Sequence, residues 1–279
     1  MNRWCVNAAA AMFVAQSAVM TAQWPAYPDR NAPRLSDGTI NLEAPPPKTT
    51  DGKPDFGGIW LNAWFYGGRV QPLPVSPPGE PPAATFGDVF ANFKTELPLQ
   101  PWAAKLKAAR KEQNSKENPD AHCLPMGLIQ FHMHPQPRKI IQTPDVIVVL
   151  YEGNAGVRQI FIDGRPLPGN DPQPWWYGYS IGRWEGDTLI VETTGFRDGG
   201  WLDIDGSPLT DAAKMTERWR RSNYGTIQID VTIDDPKAYT RPFSLRVHHR
   251  LMVDTVLDAE LIEFVCPENN KAPQLMVGK

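Results

Sequence analysis

Polar and apolar residues alternate one by one through the second half of the chain, the period of a strand with one buried face. Ile227, Ile229, Val231 and Ile233 alternate with Gln228, Asp230, Thr232 and Asp234, and Phe243, Leu245, Val247, Leu251 and Val253 continue the alternation. Val146 to Tyr151 is a β-branched run, and Val157 to Ile162 is another, closed by the turn Asp163-Gly164. Tyr177 to Trp184 and Thr188 to Thr193 flank Glu185-Gly186-Asp187, a connection of hairpin length. Leu261 to Cys266 is expected to close the series. Strand follows strand with hardly any helix between them, which excludes a parallel βαβ architecture and leaves an antiparallel barrel or a two-sheet sandwich.

The first half reads differently. Pro45 to Pro101 holds 12 of the 29 prolines, including Pro45-Pro46-Pro47 and Ser76-Pro77-Pro78-Gly79-Glu80-Pro81-Pro82, and such a stretch cannot supply central strands. It predicts an arm wrapped over the domain, interrupted by one strand around Phe56 to Trp60. One short helix follows from Trp102 to about Gln113, with Trp102, Leu106 and Ala109 on one face. Ahead of the arm, Arg3 and the apolar run Trp4 to Met20, ending in Thr21-Ala22, have the form of a cleaved export signal; a buried N-terminal helix is the alternative. The expected organisation is therefore a signal peptide over 1–22, the arm over 23–121, and a β domain over 122–279. No later run is apolar for long enough to span a bilayer as a helix.

Composition narrows the class. The 279 residues carry 28 basic and 31 acidic side chains, a net charge of −3, which argues against nucleic acid as a partner. Apolar residues at 41% suffice for a sizeable core, while 22 glycines and 29 prolines favour strands and turns over long helices. Cys5 lies in the leader, so Cys123 and Cys266 remain in the mature chain. An isolated pair in an oxidising compartment is expected to be bonded, two buried free thiols being the alternative. Neither has the Cys-x-x-Cys spacing of a redox or zinc site.

Gly58-Ile59-Trp60 ahead of successive hairpins resembles the lipocalin-like (calycin-like) pattern and favours the barrel over the sandwich. A wider resemblance, to an uncharacterised family of exported bacterial proteins, rests on Asp51 to Phe56, Cys123-Leu124-Pro125-Met126-Gly127, Arg158-Gln159-Ile160-Phe161, Gly182 to Leu189 and Thr232 to Pro242. It implies export and no particular activity.

Candidate chemistry lies where a polar residue falls on the apolar side of a strand, since burying it is costly unless it is paired or used. His249 shares a face with Val247 and Leu251, Glu217 with Met215 and Trp219, and Arg158 with Ile160 and Ile162. Three strands would thus send a base, an acid and a cation inward, as a site or as a satisfied core network. Between Met215 and Trp219, burial is expected to raise the Glu217 pKa toward neutrality unless Arg158 offsets it. His132 and His134, at i and i+2, would share one face of a strand; with His122 they offer three imidazoles to a metal, although Pro135 and Pro137 favour a metal-free role in proton transfer. Trp175, Trp176, Tyr177 and Tyr179 are expected at the barrel mouth, stacking on a planar ligand or plugging the end. No phosphate loop is present, and the Gly-x-Ser-x-Gly match at Gly178-Tyr179-Ser180-Ile181-Gly182 falls inside the strand Tyr177 to Trp184 instead of forming a strand-to-helix elbow, so no nucleotide cofactor and no serine hydrolase is implied.

Together these features point to a cofactor-independent lyase or isomerase working by acid–base chemistry on a small aromatic or apolar carboxylic or phenolic compound. In that reading Glu217, His249, His132 and His134 move protons, and Arg158, Tyr177, Tyr179 and Trp176 bind the substrate. The alternative is a periplasmic binding protein with the same small-molecule ligand and no turnover. Oligomeric state is not legible in the sequence.

Overall fold

A computed structural model describes residues 32–66, 69–72, 75–169, 173–253, 260–266 and 271. The proposed leader lies outside the described residues. Strands β1 (Gly58–Asn62), β2 (Phe65–Tyr66) and β3 (Arg69–Val70) precede helices α1 (Pro101–Glu112) and α2 (Leu128–Met133). The remaining strands are β4 (Arg138–Gln142), β5 (Val146–Tyr151), β6 (Val157–Phe161), β7 (Tyr179–Glu185), β8 (Thr188–Thr194), β9 (Gly200–Trp201), β10 (Pro208–Leu209), β11 (Lys214–Asn223), β12 (Thr226–Asp234) and β13 (Phe243–Leu251).

Nine strands close into a barrel in the order β1-β13-β12-β11-β8-β7-β6-β5-β4, with β4 pairing back to β1. The closed barrel agrees with the alternating pattern, and closure removes the exposed edges of an open sheet. Ile227, Ile229, Val231 and Ile233 of β12 are fully buried, each worth roughly 1.5–3 kcal/mol relative to exposure. The barrel is not antiparallel throughout, as the sequence pattern suggested. The β6 and β7 strands run parallel, joined by the long, proline-containing connection from Ile162 to Gly178 instead of a tight hairpin, and only Ile160↔Ser180 and Phe161↔Ile181 pair across this seam.

Other expectations need correction. Described residues 260–266 form no strand; this segment crosses to Cys123 and ends in the disulfide, with Cα atoms 5.4 Å apart. The bond spans 143 positions, and closing so long a loop contributes about 4–5 kcal/mol in the chain-entropy account. The helix after Pro101 forms, but Ala103 and Lys107 are its buried positions, and Trp102 stays 46% exposed. Lys107 fastens it to Asp88 (2.6 Å) and Asp203 (3.7 Å), an ionic anchor that an apolar stripe does not reveal. The strand of the proline-rich arm is a full barrel stave, β1, which pairs with both β13 and β4. Further along the arm, the chain docks on the barrel through Ala84 N–H to Arg246 O and Arg246 N–H to Pro82 O.

Candidate functional site

Inside the barrel, three strands do send their polar side chains inward as their alternation demands. Arg158 on β6, Glu217 on β11 and His249 on β13 are each no more than 1% exposed. A fourth partner arrives differently. His132 lies on α2, not on a strand, so the expected common face with His134 does not exist. All six residues of α2 are buried, and its N-terminus packs so tightly that a Cβ on Gly127 would sit 1.9 Å from the Trp201 carbonyl oxygen. The helix delivers His132 Nε2 to within 2.7 Å of Glu217 Oε1.

Glu217 is the hub. Its carboxylate takes both terminal nitrogens of Arg158, at 3.2 Å from Nη1 to Oε1 and in a close contact from Nη2 to Oε2, and accepts from Trp219 Nε1 at 3.2 Å. Ser180 Oγ accepts from Arg158 Nε and Nη2 and Thr193 Oγ1 from Nη2, at 3.1 to 3.2 Å. Burial pushes Glu217 up, but the Arg158 charge and the His132 hydrogen bond outweigh it and hold the carboxyl at about 2. The expectation of a near-neutral acid is therefore corrected: Arg158 supplies the offset, and Glu217 is a permanent acceptor.

That state decides the form of His132. Nε2 must carry the proton it donates to Glu217, and burial lowers the pKa of the ring against the raising effect of the carboxylate, keeping it neutral. Its Nδ1 is then a bare lone pair, buried and without a hydrogen-bond partner among the described residues.

A second layer was not anticipated. Arg138, on the inner side of β4 beside Ile140, is 1% exposed and donates to the carbonyls of His132 (2.7 Å), His134 (2.7 Å) and Gln136 (3.1 Å) and to His249 Nε2 (2.9 Å). Asn62 on β1 also donates to the His132 carbonyl, at 2.8 Å. Tyr151 on β5 shares the inner face of Ile147 and Val149; Phe131 stacks on it with centroids 4.3 Å apart. The alternation around Arg138 and Tyr151 was readable in the sequence, whereas their partners were not.

The remaining candidates separate. His134 is half-buried, edge-on to Phe86 at 5.3 Å, and does not join His132; burial and the nearby Arg138 charge lower it to about 4. His122 is exposed and bonds the Lys116 carbonyl, and no group of three metal-ligating side chains converges among the described residues. Tyr177 turns inward, edge-on to Phe131 at 5.1 Å, and burial pushes its hydroxyl up. Tyr179 stacks on Phe161 on the outer wall, and Trp176 lies under the Arg197 guanidinium. The aromatic cluster is therefore split between the inside and the outside of the wall. Comparison of the chain with protein-family models, curated proteins and solved structures finds no match. The site must be read from its own chemistry.

These groups make stability depend on acid. His132, His134, His248 and His249 are all lowered from 6.5, so the unfolded chain takes up protons that the folded chain refuses. Their contribution is complete above about pH 6.5 and is lost as the pH falls, through about 4 for His134. Glu217 adds a second loss between 4.5 and about 2. The urea midpoint is expected to fall steadily from neutrality to about pH 4 with a slope exceeding that of one proton.

Proposed function

We propose that this protein is an acid–base enzyme of lyase or isomerase type, acting without a cofactor on a small aromatic or apolar carboxylic or phenolic compound. One observation carries the reading: a neutral imidazole with one nitrogen on a buried carboxylate and the other unpaired. A carboxylate that fixes the tautomer of a histidine leaves the opposite nitrogen as a base in a dry site, where proton transfer needs little solvent reorganisation. His132 is then the base, and Glu217 its orienting partner rather than the acid first expected. His249 stands beside it, with ring centroids 5.5 Å apart. The disulfide fits an exported protein, and no described helix is long and apolar enough to cross a membrane.

A second reading, a binding protein without turnover, is favoured by the engagement of Arg158 Nε and Nη2 by Ser180, Thr193 and Glu217 and of Nη1 by Glu217, which ties the guanidinium into the wall. Incubation of the mature protein with a panel of phenolic and aryl carboxylic acids, followed by mass spectrometry, separates the two. Loss of carbon dioxide or gain or loss of water from any member supports the enzyme. Binding with no change in mass and no new isomer on chromatography supports the second reading.

A further inference from the structure

Four buried polar atoms of the barrel interior make no hydrogen bond to any described residue: His132 Nδ1, His249 Nδ1, Arg138 Nε and Tyr151 Oη. Native interiors rarely leave so many in one cluster. The chemistry of three is fixed by their partners. His249 Nε2 lies 2.9 Å from Arg138 Nη1, which can only donate, and 3.1 Å from the His132 carbonyl, which can only accept. That carbonyl already accepts from Arg138 Nη1 and Asn62, and a proton on Nε2 would collide with the Nη1 hydrogen, so Nε2 accepts and the proton of that ring sits on Nδ1. Arg138 Nε–H and His249 Nδ1–H are thus two unused donors on hydrogen-bonded side chains. His132 Nδ1 is an unused acceptor.

The charge is also uneven. Glu217 balances Arg158, whereas Arg138 meets only carbonyls and an imidazole and pairs with no carboxylate among the described residues. The site therefore holds a buried cation with no carboxylate beside it and two unused donors, with Tyr151 as the register partner of Arg138 on β5 and Phe131 stacked on Tyr151.

We propose that the barrel interior receives a small aromatic oxyanion, carboxylate or phenolate, held by Arg138 Nε–H and His249 Nδ1–H, with Tyr151 as a third donor. This rests on the acid–base reading above and names its substrate as an anion. It leaves His132 Nδ1 free for the proton that the reaction moves. The four atoms touch no solvent in this conformation, so the ligand must part the wall. The parallel seam between β6 and β7 has two register pairs, the fewest of the described barrel pairings, and is bridged by the Arg158 to Ser180 hydrogen bonds that such an opening would break. Gly156, just before β6, lies so close to Phe131 and the Tyr177 hydroxyl that a Cβ there would be 2.8 Å and 3.2 Å from them.

The test is binding to the wild-type protein by calorimetry, with benzoate, phenol and the uncharged benzamide as probes. Benzoate, or phenol bound as phenolate, is expected to bind at least about tenfold tighter than benzamide, and His249→Phe to remove that preference. Equal binding of benzoate and benzamide, binding of none of the three, or an unchanged preference in His249→Phe would overturn the proposal. If His249→Phe does not fold, nitrogen NMR of the wild type decides: benzoate must shift the His249 ring nitrogens, and unmoved resonances overturn the assignment. Anion binding without turnover of any probe would leave this proposal standing and count against the enzyme. Turnover of a neutral compound only would do the reverse.

Discussion

Glu217→Gln is expected to lower the unfolding free energy by about 3–5 kcal/mol, because it leaves the Arg158 guanidinium buried beside a neutral amide. Three groups lose their charged acceptor at once: Arg158, His132 and Trp219. Urea denaturation reads the loss as a lower midpoint at unchanged slope. The double variant Arg158→Met with Glu217→Leu is expected to recover the part due to the unpaired guanidinium, while the buried N–H groups of His132 and Trp219 still lack an acceptor and keep a cost of about 1–3 kcal/mol each. The pair of results separates roles that the fold alone does not. A folded double variant without turnover means that the ion pair is kept for chemistry. A folded double variant with normal turnover would make Glu217 and Arg158 purely structural.

The largest effect on activity is expected at His132→Gln. Glutamine still donates to Glu217 and keeps the contact, but it cannot accept and release a proton at neutral pH. Turnover of whichever panel compound is converted should fall by about a hundredfold or more, the scale for a general base, with a stability loss of only about 1–2 kcal/mol for the weakened hydrogen bond. Wild-type turnover should decline as the medium becomes acidic and His132 is protonated, and this acid limb should vanish from the residual activity of the variant. A similar fall in His134→Gln would not fit, because His134 packs on Phe86 outside the cluster.

Why some of this was legible and some not follows from the period of a strand. A one-residue register error turns every side chain to the other face, so the alternation around Glu217, Arg158 and His249 had a single reading consistent with a buried inner wall. The same rule applied to Arg138 beside Ile140 and to Tyr151 beside Val149. Their importance comes instead from pairings across the sheet, such as Trp60↔Arg138 and Val149↔Arg158, which sequence spacing does not encode. The α2 helix was missed for another reason. All six of its residues are buried, so it has no polar face, and its proximity to Pro135 and Pro137 suggested a loop or strand end. The pKa of Glu217 depends on an arginine 59 positions away, so local burial gave the wrong direction.

The central claim is that His132 is a neutral imidazole with its proton on Nε2 and a bare Nδ1. Nitrogen NMR of the histidine rings in the folded wild-type protein, followed between about pH 5 and 8, tests it most directly. The tautomer set by Glu217 predicts one protonated and one unprotonated ring nitrogen at His132 across that range, with the protonated one changing environment in Glu217→Gln. An imidazolium at neutral pH, or a proton on Nδ1, would contradict it.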